Sequence, residues 1–256
     1  MAQALDEARF AEAPPEIEVR RVGLLRPLAW LAAGMSDLRR RPGASLGTGA
    51  LVALAGALLV AAGWKATYLA PAMLGGFLLV APFLAIGLYG ISRAIEQPRS
   101  PAHAWRTNAG SVALFGLMLA VAYLFWERTA AIVFALNYRG EPLHLARLPL
   151  ELMAPQYRVL LLSLIAVGAA LALVVFMFSV VSVPLLVDRR VDVITAGLTS
   201  LRCCTRNPGA MALWAALIVA LTALGFATLM IGLVLVFPWL AHASWHAYRD
   251  LVRCED

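Results

Sequence analysis

The 42 residues Asn207–Tyr248, NPGAMALWAALIVALTALGFATLMIGLVLVFPWLAHASWHAY, contain no Asp, Glu, Lys or Arg and are closed off by Arg206 and Arg249. As one helix this stretch would extend about 63 Å at about 1.5 Å per residue, roughly twice a hydrocarbon core of about 30 Å. One crossing is therefore too few. Folded back near Gly225, the stretch supplies two helices of about 18 to 20 residues, each the length a bilayer requires, so the spacing predicts a transmembrane hairpin.

A chain of 256 residues that is 62% hydrophobic and 14% charged has too little polar surface to cover a water-soluble core, since ordinary globular chains carry about 25% charged residues. The composition is that of a polytopic membrane protein. The formal charge of +6 does not point to nucleic acid, because the basic residues come in short clusters just outside apolar runs, where anionic headgroups would meet them. Membrane lipids are the expected partners. Residues 1–26, opening MAQALDEARFAEAPPEIEVRR, are polar without an apolar core; they are expected to be a mobile cytosolic tail, neither signal peptide nor anchor. Residues 27–256 then form a single six-helix transmembrane domain. Cys203, Cys204 and Cys254 fall on the expected cytosolic side, where disulfides are rare.

Outward from the hairpin, Pro27–Arg41 carries Leu28, Leu31, Met35 and Leu38 at helical spacing and closes on Arg39, Arg40 and Arg41. It reads as an amphipathic segment, too short to span and lying in the interface. Pro42 and Gly43 break it. Crossings are predicted over Ala44–Gly63, Tyr68–Ser92, Ala109–Trp126 and Val159–Val187, the third ending at an aromatic belt of Tyr123, Phe125 and Trp126. The stretch 127–158 is expected to rest on the outer surface. With the hairpin there are six crossings. Of the 21 Lys and Arg, 16 lie in the tail, the amphipathic segment, the loops 93–108 and 188–206 and the C-terminus, against 5 in the connections 64–67 and 127–158. Positive charge marks the side that is hard to translocate, so both termini are expected in the cytosol.

The crossings repeat. The even ones share Val80-Ala81-Pro82-Phe83-Leu84, Ser182-Val183-Pro184-Leu185-Leu186 and Val236-Phe237-Pro238-Trp239-Leu240, with Arg93 and Arg249 each eleven residues after the proline. Ahead of the odd ones, Ala33-Gly34-Met35-Ser36-Asp37-Leu38-Arg39 then Pro42-Gly43-Ala44 matches Ala196-Gly197-Leu198-Thr199-Ser200-Leu201-Arg202 then Pro208-Gly209-Ala210. A weaker middle copy keeps Trp105-Arg106 and Ala109-Gly110. The pattern predicts an all-α fold of three tandem hairpins, each preceded by a short cytosolic amphipathic segment, about a pseudo-threefold axis.

No predicted crossing holds a carboxylate, lysine or arginine at its middle, which argues against an ion-coupled carrier. Hydroxyls such as Thr48, Ser111, Ser163, Ser179, Ser182, Thr222 and Thr228 read as close helix packing. The constellation with chemical potential is His242-Ala-Ser-Trp245-His246-Ala-Tyr248-Arg249-Asp250: a spacing of four puts both imidazoles on one helical face, as a haem or metal site needs, with His103 or Cys203-Cys204 as a further ligand. The competing reading is an interfacial belt, which the lack of a fixed third ligand favours. Tyr89 and Arg93 share a face at the same end, with Glu96 three residues on, and Arg189 and Arg190 follow the fourth crossing. Cys203-Cys204 reads as a redox or palmitoylation site, or as two tolerated small residues.

GLYGISRAIE, PLLVDRRVD followed by AGLTSL, and HASWHAYRDLV together resemble a bacterial family of predicted integral inner-membrane proteins catalogued as a domain of unknown function, over roughly Leu28 to Val252. The resemblance implies an inner-membrane protein and brings no activity. The expected role is non-enzymatic, an accessory, assembly or lipid-interacting factor without a cofactor, working beside another inner-membrane complex. The alternatives are a facilitator for a small neutral or lipidic solute and a haem- or metal-binding subunit using His242 and His246. The residues expected to form the functional surface are Tyr89, Arg93, Glu96, Arg189, Arg190, Trp245, Tyr248, Arg249 and Asp250.

Overall fold

The computed structural model describes residues 17–65, 84–97, 106, 108–137 and 155–254. These form β1 (Ile17–Val19), α1 (Arg26–Arg40), α2 (Pro42–Lys65), α3 (residues 84–96), α4 (Ala109–Asn137), α5 (Arg158–Ser179), α6 (Ser182–Asp188), α7 (Val193–Arg206), α8 (Pro208–Ala227), α9 (Leu233–Leu251) and β2 (Val252–Cys254). Among the described residues, four helical stretches are long and apolar enough to cross a membrane: Pro42–Leu59, Ala109–Asn137, Arg158–Asp188 and Pro208–Ala227. Their faces are studded with exposed Leu, Val, Ile and Phe, as a lipid-facing surface requires.

The core is organised on α9, which packs against α1, α2, α6 and α8. Small residues bring these helices together. A Cβ on Gly34 of α1 would lie 2.5 Å from the backbone nitrogen of Ala243, and one on Gly49 of α2 would run into the carbonyl of Val234. Without a hydrophobic force between lipid-immersed helices, such backbone approach supplies the dispersion that holds them. Trp30 of α1 meets Trp214 of α8 edge to face at 5.7 Å, and Trp239 Nε1 donates to the Leu31 carbonyl at 2.7 Å.

Several expectations change. The tail is not mobile throughout: Ile17–Val19 pairs antiparallel with Val252–Cys254, Ile17 opposite Cys254, because the alternation in Ile17-Glu18-Val19 turns Val19 into the core. Residues 1–16 lie outside the described residues. The amphipathic segment is the helix α1, but its apolar face, Trp30, Leu31, Gly34 and Leu38, is buried against the bundle and Leu28 is left exposed. The third crossing does not stop at Trp126. Nothing in ERTAAIVFALN breaks a helix, so α4 continues to Asn137 with Glu127 and Arg128 on its surface, paired at 3.1 Å.

The fourth crossing is broken at Val180–Val181 into α5 and α6. Pro184 has no N–H to return to the Val180 carbonyl, and Ser182 and Ser200 mend the break, bonding the Phe178 carbonyl and the Val181 N–H. The final stretch turns at Thr228–Gly232, just past Gly225, with Leu229 and Met230 at positive φ and the Thr228 hydroxyl accepting from Gly232 N at 2.8 Å. Gly225 admits Leu233. Tyr68–Phe83, Pro82, His103, Trp105 and His144 lie outside the described residues.

Helix α7 has a side-chain cap: Asp192 Oδ1 accepts from Ile194 N and Thr195 N, each at 2.9 Å. Asp192→Ala is expected to lower stability by about 1 kcal/mol, measured as the thermal midpoint in detergent. A midpoint equal to wild type would show that tertiary contacts alone hold the helix start.

Candidate functional site

The polar side chains that the sequence scatters over α1, α2, α3, α6 and α9 converge at one end of the bundle. Asp37, three residues past Gly34, is on the buried face of α1 and is 3% exposed. Its Oδ2 accepts from Ser92 Oγ at 2.7 Å and faces His246 Nε2 at 2.8 Å. Because a carboxylate only accepts, Ser92 has given its hydrogen to Asp37 and meets His242 Nδ1, 2.7 Å away, as an acceptor. Nδ1 therefore carries the imidazole hydrogen, and Nε2 accepts from Ser45 Oγ at 2.9 Å. Ser45, Ser92 and His242 are fully buried, so four helices are tied by a chain in which every group has a partner.

A second knot is centred on Asp188 at the end of α6, its side chain 3% exposed. Tyr248 Oη donates to Oδ2 at 2.7 Å, Arg93 Nε lies 2.8 Å from Oδ1, and Arg189 Nε and Arg249 Nη1 lie 3.5 and 3.7 Å from Oδ2. The Arg93 contact is an ion pair without hydrogen-bond alignment, and Arg93 Nη1 is buried with no hydrogen bond among the described residues. Glu96 joins the two knots, 3.4 Å from His246 Nδ1 and 3.2 Å from Arg249 Nε. Tyr89 stacks on Trp245, centroids 6.5 Å apart, and Trp245 meets Tyr248 edge on. Arg26 Nε and Trp30 Nε1 both donate to Asp250 Oδ2, at 2.6 and 2.8 Å.

Of the residues expected at this surface, Tyr89, Arg93, Glu96, Arg189, Trp245, His246, Tyr248 and Arg249 join these knots, with His242 behind them and Asp250 at the side. Arg190 is exposed and stands apart. Asp37, Ser45, Ser92 and the central role of Asp188 were missed. The available signal was Asp37 itself, a carboxylate in helical register with Trp30, Gly34 and Leu38.

Both nitrogens of His242 are hydrogen-bonded, to Ser45 and Ser92, and His246 Nε2 is bonded to Asp37 with Glu96 3.4 Å from Nδ1, so His242 has no lone pair free for an ion shared with His246. Among the described residues no group of three or more His, Cys, Asp or Glu is placed to hold a metal. Burial, with the neighbouring Cys204 second, pushes the Cys203 thiol up to about 12, and burial pushes Cys204 up to about 11. Both shifts run against the thiolate that redox chemistry uses.

Burial alone would raise the Asp37 carboxyl, but the bonds from His246 and Ser92 and the nearby imidazoles hold it below its ordinary value. Burial is likewise outweighed at Asp250 by Arg26 and Trp30. A depressed folded value gives stability that is complete above the unfolded carboxylate value of about 3.9 and lost as pH falls through the folded one. The thermal midpoint is therefore expected to fall as pH drops below about 4, and Asp37→Asn should flatten that limb. An acid limb as steep in Asp37→Asn as in wild type would remove Asp37 as its source.

A bundle of long apolar helices whose buried Asp37, Asp188 and His242 gather at one end is an integral membrane protein. Residues 69–188 match the model of the family described as predicted integral membrane protein (DUF2189), a domain of unknown function. That match includes Tyr89, Arg93, Glu96 and Asp188 and ends before α9, so WHAYRDLV lies outside it. No curated protein and no solved structure matches the chain.

Proposed function

We propose that this is a non-enzymatic, lipid-interacting accessory or assembly factor of the bacterial inner membrane, recognising lipid or a partner complex through its cytosolic face. The observation that carries the reading is the closure of the polar network: its buried charges are spent on one another across helices, which is how a scaffold is held. More arginine than carboxylate stands outward on that side, Arg20, Arg21, Arg190 and Arg206 against Glu18 and Asp192, with Leu24 and Leu25 exposed beside them, which suits a headgroup-facing surface. A haem- or metal-binding role at His242 and His246 has the least support, since Ser45 and Ser92 already bond both nitrogens of His242 and Asp37 bonds Nε2 of His246.

The finer architecture in this reading is six crossings in three tandem hairpins with both termini cytosolic. Two features support it. The residues that close α1 and α7 ahead of Pro42 and Pro208 adopt one conformation, Arg41 at φ −133°, ψ 57° and Asn207 at φ −130°, ψ 51°, each returning its N–H to a carbonyl four residues back. The pairing of β1 with β2 sets Ile17–Val19 beside Val252–Cys254, an arrangement that an even number of crossings between them would allow.

Purification in mild detergent tests the role. The expected result is a defined co-purifying membrane complex or retained anionic lipid. Substrate turnover by the purified chain alone would refute it, and solute flux into proteoliposomes above empty vesicles would favour the facilitator instead.

A further inference from the structure

Between β1 and α1 the chain passes over the corner where α7 gives way to α8, and Asn207 holds it there. Asn207 Oδ1 accepts from Val22 N at 2.8 Å and its Nδ2 donates to the Arg20 carbonyl at 2.9 Å. The result is that Leu24 lies against Gly209, its Cδ1 3.0 Å from where a Cβ would stand, beside the first turn of a candidate membrane span. Leu24 and Leu25 are nevertheless 60% and 65% exposed, and Arg20, Arg21 and Arg206 around them are exposed too. Two leucines held open to water by a fixed backbone forgo about 1.5–3 kcal/mol each of burial.

We infer that this corner is a docking surface for the anionic lipid leaflet, Leu24 and Leu25 entering the acyl boundary while Arg20, Arg21 and Arg206 meet lipid phosphates. Two observations select lipid over a partner protein. The leucines are continuous with the lipid-facing surface of α8, where Val219 and Leu224 are exposed. The exposed charge around them is mainly basic, Arg20, Arg21 and Arg206 against Glu18, with Asp250 already paired to Arg26, so the balance suits a phosphate-rich plane. The inference rests on the lipid-interacting reading above and gives it a place and a lipid class.

The test uses the full chain in nanodiscs of phosphatidylcholine with or without phosphatidylglycerol. A spin label at Leu25→Cys, in a Cys254→Ser background, is expected to be reached by oxygen more readily than by a water-soluble nickel chelate. The Arg20→Gln/Arg21→Gln/Arg206→Gln variant should retain phosphatidylglycerol roughly a hundredfold less tightly, at about a factor of five per arginine. Inorganic phosphate should not displace the lipid. A label that reads as aqueous, or that leaves water only in native membranes where partner proteins are present, overturns the inference, as does unchanged lipid retention in the triple variant. Retention of anionic lipid elsewhere on the chain would leave the broader reading standing while this surface fails.

Discussion

Asp188→Ala should destabilise the chain by about 3–5 kcal/mol, the loss expected when one side of a buried ion pair is removed. The variant strips the Tyr248 hydroxyl of its acceptor and leaves Arg93, whose side chain is only 15% exposed, with no anion in contact among the described residues. Arg93→Ala should cost less, because Asp188 keeps Tyr248, Arg189 and Arg249 around it. The order of the two is the diagnostic. Thermal unfolding in detergent, followed by size-exclusion fluorescence, reads both. Arg93→Ala falling as far as Asp188→Ala would show that the carboxylate is not the hub. The double variant Asp188→Leu/Arg93→Met should recover part of the loss, since replacing both partners leaves no charge uncompensated.

Asp188 also shows what could and could not be read from the residues. The motif PLLVDRR was visible, and so was the equivalence of Arg93 and Arg249, each eleven residues after its proline. That both arginines reach one aspartate on a third helix was not, because the contact depends on how three helix ends meet. Ser45 and Ser92 were illegible for a related reason. A serine in an apolar run is ordinarily a packing residue, and only the tertiary meeting with His242 makes these two into partners. The histidine spacing points both imidazoles to one side of α9, where Ser45 and Ser92 bond His242 and Asp37 bonds His246. Helix type and the apolar stretches were legible because length and charge alone decide them. Helix ends were less so: the proline that marks the even crossings also splits α5 from α6, and the charges after Trp126 do not stop α4. The strand pair was beyond reach, since its two halves stand at opposite ends of the chain and three residues carry little periodicity.

Gly34→Ala and Gly49→Ala should each cost on the order of 1–3 kcal/mol, towards the upper end because the atoms in the way are main-chain atoms. In Gly34→Ala the new methyl meets the nitrogen and Cα of Ala243, at 2.5 and 2.9 Å, and in Gly49→Ala it meets the Val234 carbonyl. Neither obstacle can turn aside like a side chain, so α1 or α2 must draw away from α9. The consequence is not local. Withdrawing α1 pulls Asp37 from His246 and Ser92, and withdrawing α2 pulls Ser45 from His242, so a packing change should also open the polar chain. Gly43→Ala and Gly47→Ala are the matched controls. Both positions lie in α2 with nothing within 4 Å of an added Cβ, and alanine is the better helix former by about 0.5–1 kcal/mol. They should be neutral or stabilising. The thermal midpoint and the hydrogen-exchange rate of the α9 amides around His242 together decide the matter: all four variants behaving alike would mean that close approach of α1 and α2 to α9 does not hold the bundle, whereas loss confined to Gly34 and Gly49, with faster exchange at His242, ties the packing of small residues to the integrity of the buried network.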